Sequence, residues 1–252
     1  RIDDDDAVGA ARHLVAVRDQ QRRAAAHDRL VTLDDVALGI GGFKMTGERT
    51  GDRAGVSVSS AGDVNGDGCD DLAVGAPGQL NTNSITSGVV HVFHGKAGGL
   101  ESSASWTAEG GAAGDEFGGR VTSAGDVNND GYDDLLVAAT GWTNGPTRAG
   151  QIYLYLGNAS GLLTTGHSWS RDGSGANLVL GFTMAGIGDV NNDGYPDIYL
   201  ANGGPQMYRL EPNVLFLNLG DGTFADVTEA TGVGNMGKGH GATFADFDGD
   251  GD

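Results

Sequence analysis

Hydrophobic and polar residues alternate in short bursts along this 252-residue chain, and the bursts flank acidic turns. Val56 to Ala61, Val121 to Ala124 and Phe182 to Ile187 lead into such turns; the apolar runs Leu72 to Val74, Leu135 to Ala139 and Ile198 to Ala201 follow them. A two-residue period puts successive side chains on opposite faces, so each pair reads as two antiparallel strands joined by the turn. A third strand is predicted at Gly88 to Gly95, Gly150 to Gly157 and Asn213 to Gly220, and a fourth around "SASWTAEG", "HSWSRDG" and "GTFADVT". The turns start at Asp63, Asp126, Asp189 and Asp246, spaced 63, 63 and 57 residues apart. Four antiparallel strands per unit of about 60 residues, radially repeated, is the arithmetic of an all-β fold built of β-propeller blades. Trp106 and Trp169, again 63 apart, are predicted to pack between blades.

The ends differ from the repeats. "GGFKMTGERTGDRAG" reads as a fourth strand at Gly42 to Gly47 with no predecessors, and "GATFADFDGDGD" as a first strand at Gly241 to Ala245 with nothing after its turn. Residues 36–252 therefore read as three complete and two partial blades. Residues 1–35 form a separate segment: after Asp3 to Asp6, which suit a helix start, Ala7, Ala10, Leu14, Val17, Gln21 and Ala24 fall on one stripe of a short N-terminal helix, a linker or docking element. The missing initiator Met, the absence of an apolar leader and the half-written last turn read as a piece of a longer chain. Incomplete end blades offer unpaired strand edges, so further blades or self-association into a filament are expected.

Composition sharpens this. Forty-six glycines point to many tight turns, and a formal charge of -19 calls for a cation or open solvent rather than nucleic acid. Residues 1–30 carry six arginines against six aspartates, while 15 of the 34 acidic residues sit in the four turns. The acidity is local. Cys69, the single cysteine, excludes an intrachain disulfide, and no apolar run approaches the length of about 20 residues that spans a bilayer.

Within each complete turn, oxygen-bearing side chains occupy positions 1, 3, 5 and 9: Asp63, Asn65, Asp67 and Asp71; Asp126, Asn128, Asp130 and Asp134; Asp189, Asn191, Asp193 and Asp197. Position 6 is always glycine, and the main-chain carbonyl at position 7 belongs to Cys69, Tyr132 or Tyr195. A hard cation that takes six to eight oxygens fits this set; zinc and copper want softer ligands and magnesium fewer protein ones, so the cofactor expected is Ca2+. The fourth turn offers Asp246, Asp248, Asp250 and, at position 7, Asp252. An EF-hand needs glutamate at position 12, where Val74, Val137 and Leu200 stand, and a dockerin needs a shorter period and a following helix.

With these motifs, residues 36–252 resemble FG-GAP repeats, the calcium-binding blades of the integrin alpha-subunit propeller and of many bacterial secreted proteins. "EFGGR" (Phe117, Gly118) and "VGAP" (Gly75, Ala76, Pro77) carry the name, with "GDVNGDGCDDLAV" between the equivalent positions of the first blade. The first blade has "AGVSV" where Phe-Gly is expected, the next two have "AAT" and "ANG" for Gly-Ala-Pro, and the last unit is closer to a VCBS-type repeat. The resemblance implies an extracellular or cell-surface, non-enzymatic role in adhesion or surface assembly, with a carbohydrate-binding module or the propeller domain of a secreted polysaccharide-active enzyme as alternatives.

Catalysis has little support in the residues: the histidines are scattered and no Ser/His/Asp spacing emerges. In a meander blade the first turns lie on one face and the longer connections on the other, so a protein or glycan ligand is expected opposite the calcium loops. Trp142, Arg148 and Tyr208, in those connections, are the candidate contacts.

Overall fold

The computed structural model describes residues 47–144, 147–173, 179–201 and 213–234. The expected N-terminal helix, the strand at Gly42 to Gly47 except its last residue, the strand at Gly241 to Ala245, the fourth turn and Tyr208 lie outside these residues.

Three four-stranded antiparallel sheets follow one another along the chain, each a simple meander. The first blade orders β1 (Ser57–Gly62), β2 (Asp71–Ala76), β3 (Val89–Phe93) and, after a small hairpin of β4 (Gly95–Lys96) and β5 (Gly99–Leu100), β6 (Trp106–Glu109). The second runs β7 (Phe117–Gly125), β8 (Asp134–Ala139), β11 (Gln151–Tyr155) and β12 (Trp169–Asp172), with the hairpin β9 (Thr143–Asn144) and β10 (Thr147–Arg148) in its longer connection. The third is β13 (Met184–Gly186), β14 (Ile198–Leu200), β15 (Val214–Asn218) and β16 (Phe224–Asp226), followed by the single-turn helix α1 (Thr228–Thr231). The twelve strands expected of the three complete blades all form. The two small hairpins and α1 were not expected, and β13 is shorter than the alternation implied. β16 stops at Asp226 because its Oδ1 accepts from both the Thr228 N–H (3.2 Å) and the Thr228 hydroxyl (2.7 Å), which turns the chain out of the sheet.

The core lies between blades, and the two-residue period builds it. In β8, Leu135, Val137 and Ala139 join Val90, Val92 and Trp106 of the first blade, whereas Leu136 and Ala138 join Ile198, Leu200 and Phe216 of the third. β11 divides in the same way, Tyr155 to one side and Ile152 and Leu154 to the other. A strand packed on both faces runs apolar along its length, and after the opening Asp71 and Asp134 every residue of β2 and β8 is apolar or glycine and buried. Both expected tryptophan joints are present. The Trp106 ring meets Tyr155 edge-on at 5.1 Å and its Nε1–H donates to the Leu163 carbonyl at 3.2 Å; Trp169 stands 5.6 Å from Phe216 and 5.0 Å from Phe224.

The innermost strands β1, β7 and β13 lie side by side, and the Val121 N–H donates to the Ser57 hydroxyl at 2.9 Å across the first joint. Contact here is close enough to exclude side chains. A Cβ on Gly75 would stand 1.9 Å from the Gly118 carbonyl oxygen, and Gly118 itself has φ 79°, a left-handed conformation that glycine adopts without strain. Gly75 and Gly118 are the glycines of "VGAP" and "EFGGR", so the two motifs meet as one close backbone contact between blades.

Candidate metal centres

Each acidic turn joins the first strand of a blade to the second, and the three described turns fold alike. In loop 1 the Asp63 carboxylate accepts from the N–H groups of Asp67 (Oδ1, 3.0 Å) and Gly68 (Oδ2, 2.7 Å), Asn65 Oδ1 accepts from Asp67 N–H at 2.9 Å, and Asp67 Oδ1 accepts from Cys69 N–H at 2.9 Å. Loop 2 repeats this with Asp126 to Asp130 (3.0 Å) and Gly131 (2.8 Å), Asn128 to Asp130 (3.2 Å), and Asp130 to Tyr132 (3.0 Å). Loop 3 repeats it with Asp189 to Asp193 (3.0 Å) and Gly194 (2.6 Å), Asn191 to Asp193 (3.3 Å), and Asp193 to Tyr195 (3.0 Å).

The side chains of positions 1, 3 and 5 thus turn inward, and those of positions 1 and 3 share one N–H, so their oxygens lie next to each other. The φ > 0 bend comes from Gly68, Gly131 and Gly194, at 86°, 91° and 93°.

Position 9 has a second part that its spacing alone did not reveal. Asp71, Asp134 and Asp197 are almost completely buried. Each binds the backbone with both oxygens. Asp71 accepts from Val64 N–H (3.1 Å) and Gly95 N–H (2.7 Å), Asp134 from Val127 (2.8 Å) and Gly157 (2.7 Å), and Asp197 from Val190 (3.0 Å) and Asn218 (2.8 Å). One partner is the second residue of the same loop; the other lies at the end of the third strand. The carboxylate therefore pins the turn to its own blade. Burial pushes Asp134 up to about 7, against the pull of the Gly157 and Val127 N–H groups, with Asp130 and Asp126 adding to the rise. Asp71 and Asp197 are raised in the same direction, burial again first.

The donor chemistry fits a hard cation: carboxylate and amide oxygens, the main-chain carbonyl of position 7, and no nitrogen or sulfur ligand. Each carboxylate oxygen has two lone pairs, so one hydrogen bond leaves an acceptor site open. Among the described residues no three carboxylate, imidazole or thiol groups are gathered into one cluster. Cys69 is half-buried and free, its N–H donates to Asp67 Oδ1, and burial together with the same carboxylate beside the thiol raises the thiol pKa.

On the opposite face, Glu116 is a hub that sequence reasoning missed. It pairs with Arg53 of the first blade at 3.3 Å and with Arg148, and it accepts from the Thr140 hydroxyl at 3.1 Å. Arg148 Nε–H also donates to the Thr140 carbonyl at 2.9 Å, and Trp142 is half-buried against the core around Phe117. Trp142 and Arg148 thus fall on one side of the second blade, away from the acidic turns. Glu116 has its counterparts 63 residues to either side in Arg53 and Val179, unlike in side chain but alike in backbone, with φ of 56°, 51° and 48° at Arg53, Glu116 and Val179.

Residues 54–93 and 117–155 match the FG-GAP repeat, and residues 189–252 match the FG-GAP-like repeat. Integrin alpha-PS2 of Drosophila melanogaster is 32% identical over 167 residues, which cover 62% of this chain and 12% of that protein. Integrin alpha-IIb of Homo sapiens is 32% identical over 179 residues, covering 68% and 17%. The chain thus spans 12 to 17% of the length of these curated relatives. Among solved structures, a Bacillus licheniformis rhamnogalacturonan lyase PL11 is similar at 16% identity and a TM-score of 0.45, over 76% of this chain and 38% of that one. No helix among the described residues is long and apolar enough to cross a membrane.

Proposed function

The chain belongs to the FG-GAP repeat family, and from that premise we propose that it is a non-enzymatic, calcium-stabilised β-propeller segment serving extracellular adhesion or surface and filament assembly. The observation that carries the reading is threefold: the same Asp, Asn, Asp and Asp oxygens recur at positions 1, 3, 5 and 9 of three loops with the same internal hydrogen bonds.

Asp63, Asn65, Asp67, the Cys69 carbonyl and Asp71 would hold the first ion. Asp126, Asn128, Asp130, the Tyr132 carbonyl and Asp134 would hold the second, and Asp189, Asn191, Asp193, the Tyr195 carbonyl and Asp197 the third. Asp246, Asp248, Asp250 and Asp252 begin a fourth set. A bound calcium ion would supply the positive charge that these acidic turns lack and a cross-link between the two strands each turn joins. The chain's own part is to hold the donors ready: positions 1, 3 and 5 already face inward, and position 9 is fixed by two backbone N–H groups.

Residues 36–252 are proposed as the blades, with 1–35 a separate segment. A protein or glycan ligand would dock on the face away from the ions, where Trp142, Arg148 and Tyr208 are the candidate contacts. Similarity to integrin alpha subunits supports a binding role of this kind and an extracellular or cell-surface setting.

Thermal melts test the calcium reading. In about 1 mM calcium, the concentration range of weak extracellular sites, the melt should lie well above the melt in EDTA. Asp130→Ala should lower the number of ions bound by one. Equal melts in the two conditions would sink the assignment.

A further inference from the structure

Loop 1 is held by its neighbour as well as by its own blade. The Asp63 N–H donates to Asp133 Oδ2 at 2.8 Å, and the Asp133 N–H donates to the Asp63 carbonyl at 3.1 Å. The first residue of loop 1 and the eighth residue of loop 2 are thus joined by a reciprocal pair of hydrogen bonds between blades. The fit is tight, since the Asp133 carboxylate occupies the space where a Cβ on Gly62 would stand, 2.1 Å from that position. The next residue of loop 1 is tied down too, with the Asn158 N–H donating to the Val64 carbonyl at 3.1 Å.

Loop 2 meets loop 3 differently. Position 8 there is Pro196, which has neither a carboxylate nor an N–H and packs near Gly125, 3.5 Å from where a Cβ would be. Asn218 Nδ2–H instead donates to the Val127 carbonyl at 2.7 Å, and Asn129 Nδ2–H to the Gly194 carbonyl at 2.8 Å.

We infer that Asp133 is a positioning residue for the calcium site of the preceding blade, and that it couples loop 2 to loop 1. The inference rests on the calcium reading of the loops. Asp63 is the first ligand of loop 1, so fixing its main chain on both sides fixes the origin of its carboxylate. Asp133 itself stands between Tyr132 and Asp134, two residues proposed to hold the ion of loop 2. Filling loop 2 therefore orders the clamp that loop 1 needs, and by linkage filling loop 1 strengthens loop 2 by the same factor.

The test is a calcium titration of the full chain labelled with 15N, following the amides of Gly68, Gly131 and Gly194, one at position 6 of each loop. Asp133→Ala should raise the Gly68 midpoint about 10- to 100-fold, the usual effect of losing a partner that orients a ligand, and leave Gly194 in place. Asp133→Asn keeps an acceptor oxygen and should stay close to the parent. Asp130→Ala, which empties loop 2, should move Gly68 in the same direction as Asp133→Ala. Pro196→Asp supplies the missing acceptor beside Asp126 and should lower the Gly131 midpoint; this gain is readable even if Asp133→Ala does not fold.

An unmoved Gly68 midpoint in Asp133→Ala would overturn the inference. So would an Asp133→Asn loss as large as that of alanine, because it would assign the effect to charge rather than position. If none of the three amides of the parent protein responds to calcium, the calcium reading itself fails, which is a separate result.

Discussion

Replacing Asp134 should damage this protein with or without calcium, whereas replacing Asp130 should matter only when calcium is present. Asp134 is completely buried and accepts from Val127 N–H at 2.8 Å and Gly157 N–H at 2.7 Å. Alanine leaves both donors buried and unpaired, at about 1 to 3 kcal/mol each. Removing the carboxyl also relieves its own burial, the cause of its raised pKa, so the expected net loss is the lower part of that range, about 2 to 4 kcal/mol. Asp130 is exposed and accepts within its own loop, so Asp130→Ala in EDTA should stay within about 0.5 kcal/mol of the parent. With calcium at a hundred times the dissociation constant, each filled site adds about 2.7 kcal/mol, and Asp130→Ala should forfeit at least that amount, more if loop 1 weakens with it.

The assay is urea unfolding followed by circular dichroism at pH 8, where the Asp134 carboxyl is mostly ionised, in EDTA and in calcium. Three stability differences then separate the roles. If Asp134→Ala in EDTA loses less than about 1 kcal/mol, its buried N–H partners are not holding the turn to the third strand and the anchoring argument is wrong.

Other perturbations have equally definite outcomes. Trp106→Ala should cost about 3 to 5 kcal/mol in urea unfolding, because the indole fills the joint between two blades; a loss under about 1 kcal/mol would place it outside the core. Gly118→Ala should destabilise by more than about 1 kcal/mol, since φ is 79° and the added Cβ would stand 2.8 Å from Val90 Cγ2; unchanged stability would refute the close-contact account of the motif. His91 is half-buried, its Nε2 3.0 Å from Gln79 Oε1 and its Nδ1 3.3 Å from the Thr107 hydroxyl, and burial lowers its pKa below 6.5 despite the opposing pull of Glu48. The unfolded chain then binds the extra proton more readily, so stability should fall as pH drops below about 6.5, and His91→Gln should flatten part of that fall; identical pH profiles would exclude His91 as its source.

The strands and the donor pattern were legible because both are local. A two-residue period needs only neighbours, and donors at alternate positions of one turn need only the turn. What escaped depends on pairing between distant segments. Asp71, Asp134 and Asp197 read as ligands, yet their anchoring partners Gly95, Gly157 and Asn218 lie 24, 23 and 21 residues away, brought close only by sheet formation. Asp133 and Asp63 are 70 residues apart and in different blades, so the doubled aspartate of "DGCDD" and "DGYDD" showed as acidity without a role. The hub at Glu116 stayed hidden because Arg53, Glu116 and Val179 are three unlike residues, none of them glycine, sharing one left-handed conformation. β9, β10 and the hairpin of β4 and β5, two residues per strand, are too short to show a period.

The same contrast explains which parts of the motif drift between blades. Where the first two blades meet, Gly75 and Gly118 lie so close that neither tolerates a Cβ; at the next joint Ala138 replaces the first glycine, while Gly181 remains, its absent Cβ 2.7 Å from the Ala138 Cβ. One glycine of the pair suffices, because a single missing Cβ lets the backbones approach and the opposite strand can shift by the width of a methyl group. Position 9 has no such freedom. Its side chain must present two acceptors to two buried N–H groups, one in the loop and one at the end of the third strand, and only a short carboxylate does both while keeping lone pairs open to a cation. The acidic turn is therefore a joint of the blade in its own right: the position 9 carboxylate ties the second residue of each loop to the end of the third strand, whatever the loop binds.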